Sequence, residues 1–320
     1  MKLSVVIPIY NEEENLAELY RRLRLVCEGL DNVNWQVIYV NDGSKDRSLE
    51  IMRQQSREDP RFCIVDLSRN FGHQAAISAG LAQADGDAVI SMDGDLQDPP
   101  EVIPDMLARW QAGDQVVRAE RRSRKESGIR RIGFDAFHRI FNWISDFPIP
   151  SQSGIFGLMD RTALEELNRF TEKNRFFPGL RSWVGFSQGV VYYDRQERAA
   201  GMPKQSFGRL IRYALDAIFS FSYKPLRIMT MAGAVISAAG FVLACIFVIK
   251  RLIGIEIAQT GFTTLVTLVL FLGGVQLIAI GLLGEYLARI YDEVKQRPLY
   301  IVKERYGFGP RASNLAGSPE

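Results

Sequence analysis

Two carboxylates one residue apart, Asp93 and Asp95, flank a glycine directly after the apolar run at residues 88–92. The glycine lets the backbone turn so that both groups face one point. Hard oxygen donors of this kind suit Mg2+ or Mn2+, usually shared with substrate phosphates. Gln97 and Asp98 extend the loop and Pro99-Pro100 stiffen it. Asp-Gly-Asp on its own is ordinary turn chemistry; its position at a strand end gives it weight. Asp42 closes another apolar run and opens Asp-Gly-Ser. A carboxylate there can accept from a base N–H or a ribose hydroxyl, or simply shape the turn. Arg69, within Ser68-Arg69-Asn70-Phe71-Gly72, offers a cation and close backbone approach to a diphosphate. From Arg118 to Arg131 seven basic residues (Arg118, Arg121, Arg122, Arg124, Lys125, Arg130, Arg131) stand against Glu120 and Glu126. Arginine meets phosphate with two donors, so the run favours an anionic lipid head; a solvated charged face is the plainer alternative. The two histidines, His73 and His138, are far apart and read as structural or polar lining, not as metal ligands.

These residues need a frame. The runs at 3–9, 35–40, 62–67 and 88–92 read as buried parallel strands. Helical spacing lies between them, as in Leu16, Leu19, Leu23 and Val26, and again at 74–84. Asn11 stands where it can cap the first helix, with Glu12, Glu13 and Glu14 in its opening turn. Strand–helix alternation predicts an α/β fold with helices on both faces of a parallel sheet. Ligands then sit beyond the carboxyl ends of the strands, where each of these strands ends in polar, acidic or glycine residues.

Within 320 residues, Lys+Arg minus Asp+Glu is 39 − 37 = +2. That balance gives no reason to expect a nucleic-acid partner. Cys27, Cys63 and Cys245 are odd in number and scattered, which argues against a disulfide framework and for a reducing compartment. Residues 228–249 and 262–284 run without a charge. At 1.5 Å per residue each reaches across a hydrocarbon core of about 30 Å, so two transmembrane helices are expected. The first residues enter a strand-like run without a signal-type segment, and basic residues gather before the first span and after the second. The expected placement is multi-pass in the inner (cytoplasmic) membrane, catalytic domain in the cytoplasm. Residues 210–227 are apolar on one side and basic on the other, as in a helix lying in the membrane interface. Residues 310–320 read as a disordered polar tail. Small residues four apart (Gly233 and Ser237, Gly240 and Ala244) suit either a homo-oligomer or packing of the two spans on each other.

Taken in order, Val5-Val6-Ile7-Pro8-Ile9-Tyr10-Asn11-Glu12, Asn41-Asp42-Gly43-Ser44, Ser68 to Gly72 and Met92 to Pro100 resemble family 2 of the inverting glycosyltransferases, with the GT-A (Rossmann-like) fold. More narrowly the chain resembles polyprenyl-phosphate glycosyltransferases: dolichol-phosphate mannose synthases and bacterial bactoprenol glucosyltransferases. The resemblance implies a cytoplasmic GT-A domain over 1–205, an amphipathic juxtamembrane helix over 206–227 and membrane helices at 228–250 and 262–284. A loop at 251–261 joins those helices, and a cytoplasmic segment comes last, over 285–320. It implies that Pro8, Tyr10, Glu12 and Asp42 line the nucleotide site, with Arg69 beside the diphosphate. Asp93, Asp95 and Gln97 would hold the metal and donor diphosphate, and Asp160 would take the remaining acidic role. Arg121, Arg124, Arg130 and Arg131 would meet the lipid phosphate, with Arg198 and Lys204 from a basic lid. In this chain Ile155 and Gly157 stand where many relatives carry an acid and an arginine. The implied reaction is metal-dependent transfer of a hexose, glucose from UDP-glucose being favoured, to a membrane polyprenyl phosphate. Another donor (GDP-mannose, UDP-GlcNAc or an aminosugar nucleotide), a non-catalytic nucleotide-sugar sensor, a processive synthase and a flippase are the rival readings.

Overall fold

The computed structural model describes residues 1–122, 153–173, 175–194, 224–253 and 261–308. These fall into two compact units.

The first unit is built on β1 (Lys2–Ile9), β2 (Asn34–Asn41), β3 (Phe62–Leu67) and β4 (Ala88–Ser91), the four strands expected from the apolar runs. β1, β3 and β4 are buried along nearly their whole length, as strands covered on both faces must be. Helix α1 (Leu16–Glu28) turns Leu16, Leu19, Leu23 and Cys27 inward at helical spacing. α2 (Ser48–Glu58) and α3 (His73–Leu81) complete the crossovers. A 3-10 turn at Pro100–Val102 leads into α4 (Ile103–Gln111) and β5 (Val116–Arg121). Then come β6 (Ser153–Asp160), α5 (Arg161–Asn168), α6 (Phe177–Trp183) and β7 (Gln188–Tyr193).

The sheet has the order β7-β5-β6-β4-β1-β2-β3-β8, where β8 is Val302–Tyr306. It is mixed rather than wholly parallel. β6 runs antiparallel between β4 and β5, and β8 runs antiparallel along β3. The chain goes outward from β1 to β3 on one side and then crosses to β4 on the other. That reversal opens a crevice beyond the carboxyl ends of β1 and β4, the topological switch point.

One local expectation fails. Asn11 does not cap α1, which starts at Leu16. Asn11 sits at φ 54°, in the left-handed region that asparagine tolerates. Its side-chain oxygen accepts from Lys45 N at 2.8 Å, so it ties the loop after β1 to the loop after β2.

The second unit holds two long helices, α7 (Lys224–Leu252) and α8 (Gly261–Val294), which contain both uncharged stretches. Among the described residues one segment, Phe271–Val294, is long and apolar enough to cross a bilayer, at mean hydropathy 1.6; Leu226–Val242 is a shorter apolar helix. The juxtamembrane stretch up to residue 223 and the tail from 309 lie outside the described residues.

Candidate active site

Every loop that carries a sequence-predicted donor-side residue leaves the carboxyl end of β1, β2, β3 or β4, and hydrogen bonds lace these loops together. Pro8 is buried within β1, paired with Val40. Tyr10, two residues on, is 39% exposed at the crevice. Glu12 donates its backbone N–H to Ser48 Oγ at 2.9 Å, and its carboxylate accepts from Asn15 at 2.6 Å. Asp42 is 3% exposed. Its two oxygens accept from the backbone N–H of Phe71 (2.7 Å) and Gly72 (3.0 Å), which pins the loop after β3 beside the loop after β2. Burial pushes its pKa up, and the two backbone bonds and nearby His73 and Arg69 pull against that. Gly43 makes this closeness possible: at φ 66° it takes a conformation costly for other residues, and a Cβ there would strike the backbone of Arg69 and Asn70. Arg69 is exposed and lies 4.0 Å over the Phe71 ring, at the mouth of the same cluster.

The loop after β4 is tighter. A Cβ at Gly94 would meet Ile9 at the end of β1, so a glycine there lets the loop close onto the neighbouring strand. Leu96 takes φ 61°, and Gln97 N donates to Asp95 Oδ1 at 3.2 Å. Both features curl the backbone around the two carboxylates. Gln97 is 7% exposed, and its side-chain oxygen is buried without a hydrogen-bond partner. A buried amide oxygen without a partner costs free energy, and a hard cation beside Asp93 and Asp95 would satisfy it. The donor set therefore fits Mg2+ or Mn2+ completed by phosphate oxygens. Among the described residues no group of three or more His, Cys, Asp or Glu forms a metal cage.

His73 was missed in the sequence as a member of this site. Its Nε2 lies 2.7 Å from Asp93 Oδ1. Burial lowers its pKa, but the bond to Asp93 and the charges of Asp93, Asp42 and Asp95 outweigh that and leave it raised. The acidic cluster thus favours the protonated form of His73. Asp98 at the end of the loop is 3% exposed. Burial and the Asp93 charge push it up to about 6, against the bond it accepts from Tyr193.

Asp160 stands apart from the loop after β4. Its strand runs opposite to β4, and Asp160 pairs with Ala88, the first residue of β4. Five residues separate Ala88 from Asp93, so at about 3.3 Å per strand residue Asp160 stands on the order of 16 Å from the metal loop. There it caps α5 through Thr162 N (2.8 Å) and accepts from Trp110 Nε1 (3.0 Å). Its side chain is therefore engaged by α5 and Trp110 at the far end of β6 from Asp93. The crevice end of β6 is instead Gly154-Ile155-Phe156, and Ile155 is buried.

Gly157 also finds its explanation. The guanidinium of Arg181, on α6 and 1% exposed, occupies the space a side chain at 157 would take. It donates to the carbonyls of Gly154 (3.0 Å) and Ile155 (3.2 Å). Burial lowers its pKa to about 9, which leaves it charged at neutral pH. The chain thus brings a buried cation behind β6 from a helix rather than from the strand.

Of the basic residues expected to meet the lipid phosphate, Arg121 ends β5, with Nε 3.4 Å from the Tyr193 hydroxyl. Arg124, Arg130, Arg131, Arg198 and Lys204 lie outside the described residues.

Residues 4–167 match the model of glycosyl transferase family 2, and residues 224–290 match the GtrB C-terminal hairpin. An uncharacterized glycosyltransferase, YkcC, of Bacillus subtilis (strain 168) is 44% identical over 96% of this chain and 95% of its own length. The SfII prophage-derived bactoprenol glucosyl transferase of Shigella flexneri is 41% identical over 97% of this chain and 100% of its own. A prophage bactoprenol glucosyl transferase homolog of Escherichia coli (strain K12) is 40% identical over 95% and 99%. Among solved structures, the mannosyltransferase PcManGT of Pyrobaculum calidifontis aligns over 87% of this chain and 86% of its own at TM-score 0.46 and 16% identity, too distant to inform the site. The matched segments run from β1 to the second long helix, and the chain belongs to glycosyl transferase family 2, with a GtrB-type hairpin at its C-terminal end.

Proposed function

We propose that this chain is an inverting polyprenyl-phosphate glycosyltransferase that moves glucose from UDP-glucose onto the phosphate of a membrane polyprenyl phosphate. The observation that carries the reading is the loop after β4: two carboxylates and an unpartnered buried amide oxygen share one tight loop at the switch point of the sheet. The names borne by near full-length relatives support the acceptor and the sugar.

In this reading Asp93, Asp95 and Gln97 hold a divalent ion, which when bound would neutralise charge on the departing nucleoside diphosphate. Tyr10, Glu12 and the loops fastened by Asp42 shape the nucleotide pocket, and Arg69 faces the diphosphate. Arg121, with Arg124, Arg130, Arg131, Arg198 and Lys204, holds the lipid phosphate. That phosphate has a second pKa near ~6 and is ionised at neutral pH, so the chain need not supply a strong base. This fits an acceptor end of β6 lined by Ile155 rather than an acid. Held for in-line attack, the phosphate displaces the diphosphate in one step and inverts the anomeric centre. The hairpin of α7 and α8 crosses the inner membrane twice, at 228–250 and 262–284, with the catalytic unit in the cytoplasm, and its small residues support a homo-oligomer.

The test is transfer of labelled glucose from UDP-glucose into an organic-extractable product by membranes containing the protein, with and without Mg2+ or Mn2+. Asp95→Ala is expected to lower transfer by at least 100-fold with the thermal unfolding midpoint unchanged. Wild-type turnover in that variant would overturn the metal assignment.

A further inference from the structure

Tyr193 is the last residue of β7, an edge strand that no motif marks. Its ring is 5% exposed and packs edge-on against Phe156 of β6 at 5.5 Å. For that packing a phenylalanine would serve equally well. A buried tyrosine hydroxyl, however, must find partners, and this one has two of unlike kind. It donates to Asp98 Oδ1 at 2.5 Å, and Arg121 Nε approaches it at 3.4 Å. Asp98 belongs to the loop that carries Asp93, Asp95 and Gln97, and Arg121 ends β5 beside Tyr193. Three side chains, one from the loop after β4 and two from the ends of β5 and β7, therefore form one polar chain, carboxylate to phenol to guanidinium. The backbone reinforces it, since Arg122 N donates to Tyr193 O at 2.9 Å. Among the described residues no carboxylate lies within ion-pair distance of Arg121, and Tyr193 engages its Nε.

We propose that Tyr193 is a positioning residue that couples the two halves of the reaction, fixing the metal loop through Asp98 and aiming Arg121 at the acceptor phosphate through the same hydroxyl. The inference rests on the reading of that loop as the metal site and of Arg121 as a phosphate contact. When the donor side is filled, Asp98 is held in one place, and the phenol passes that order to Arg121. Removing the hydroxyl leaves both sides able to bind and severs the link between them. Coupling free energies between sites commonly correspond to about 5-fold or more in affinity.

The experiment uses the full chain in detergent, with UDP-glucose, Mn2+ and a short-chain polyprenyl phosphate. The acceptor KM is measured at limiting and at saturating Mn2+. For the wild type the KM is expected to fall about 5-fold between the two. For Tyr193→Phe the KM should be about 5-fold higher at saturating Mn2+ and no longer depend on the ion, with kcat within about 2-fold. Asp98→Asn retains an oxygen that can accept from the phenol and should keep the wild-type dependence. Tyr193→Phe with the wild-type Mn2+ dependence overturns the proposal while leaving the reaction standing. So does Asp98→Asn behaving like Tyr193→Phe, since the amide should preserve the bridge. A wild type that yields no lipid-linked sugar refutes the reaction, and this proposal with it.

Discussion

Replacing Asp160 by alanine separates two readings of that residue. By position in the motif it belongs to the chemistry, and by structure it is a helix cap about 16 Å from the metal loop. The substitution removes the acceptor for Thr162 N at the start of α5, a loss of about 1 kcal/mol. It also strips the partner from Trp110 Nε1, which adds on the order of 1 kcal/mol. Burial works against ionisation of Asp160, but the bonds from Trp110 and Thr162 outweigh it and hold its pKa below the usual carboxylate range. A lowered carboxylate pKa contributes stability above the unfolded value, which is lost as pH falls through the folded one. The deficit of Asp160→Ala against wild type should therefore be about 2 kcal/mol at pH 7 and shrink below pH 4. Denaturant unfolding of the detergent-solubilised protein at several pH values measures it, alongside glucosyl transfer per folded molecule. Transfer should stay within 2-fold of wild type. A fall of 100-fold or more with unfolding unchanged would mean that Asp160 acts on the substrate and that the strand direction is misread.

Asp98 should leave a mark of its own in the metal-free protein. Its pKa is raised from 3.8 to about 6, so its favourable contribution is full below the unfolded value and is lost as pH rises through 6. The stability of wild type relative to Asp98→Asn should drop by roughly 3 kcal/mol between pH 4 and 7, as read by urea midpoints; a flat difference would contradict it. Gly157→Ala would press a methyl onto the buried Arg181 guanidinium and the Val117 carbonyl, for a loss of about 2 kcal/mol; an unchanged unfolding midpoint would show that α6 yields easily. Gly94→Ala drives a methyl into Ile9 and should lower kcat at least 10-fold through displacement of Asp93 and Asp95, with a smaller effect on the unfolding midpoint. Full activity would mean that the loop tolerates the shift.

The parallel half of the fold was legible because each of its strands is a short apolar run ending in turn residues, and the crossover rule places those ends together. Asp42, Arg69, Asp93, Asp95 and Gln97 all stand on the loops that leave those ends. The chain beyond β5 was harder to read. Nothing in Ser153–Asp160 says which way the strand runs, and an antiparallel insertion sends its acid to the opposite end of the sheet from the metal loop. His73 is a lone histidine in sequence; its partner Asp93 comes near through the crossover of α3. Tyr193 and Arg181 belong to no motif, and their importance lies in partners far along the chain. Asn11 looked like a cap because asparagine suits both caps and left-handed turns, and the turn prevailed. β8, with the polar sequence Val-Lys-Glu-Arg-Tyr, gave no apolar run to recognise.

That last strand has a bearing on biogenesis. β8 closes the open edge of β3, where Arg53 reaches Tyr306 and Glu304, yet it comes after both long hydrophobic helices in chain order. A ribosome therefore delivers the seven other described strands, then the greasy hairpin, and β8 last. Until then the flank of β3 stays bare and able to pair with strands from other chains. Maturation of the sheet thus waits for the hairpin to emerge, so a nascent chain stalled before that point carries an adhesive border.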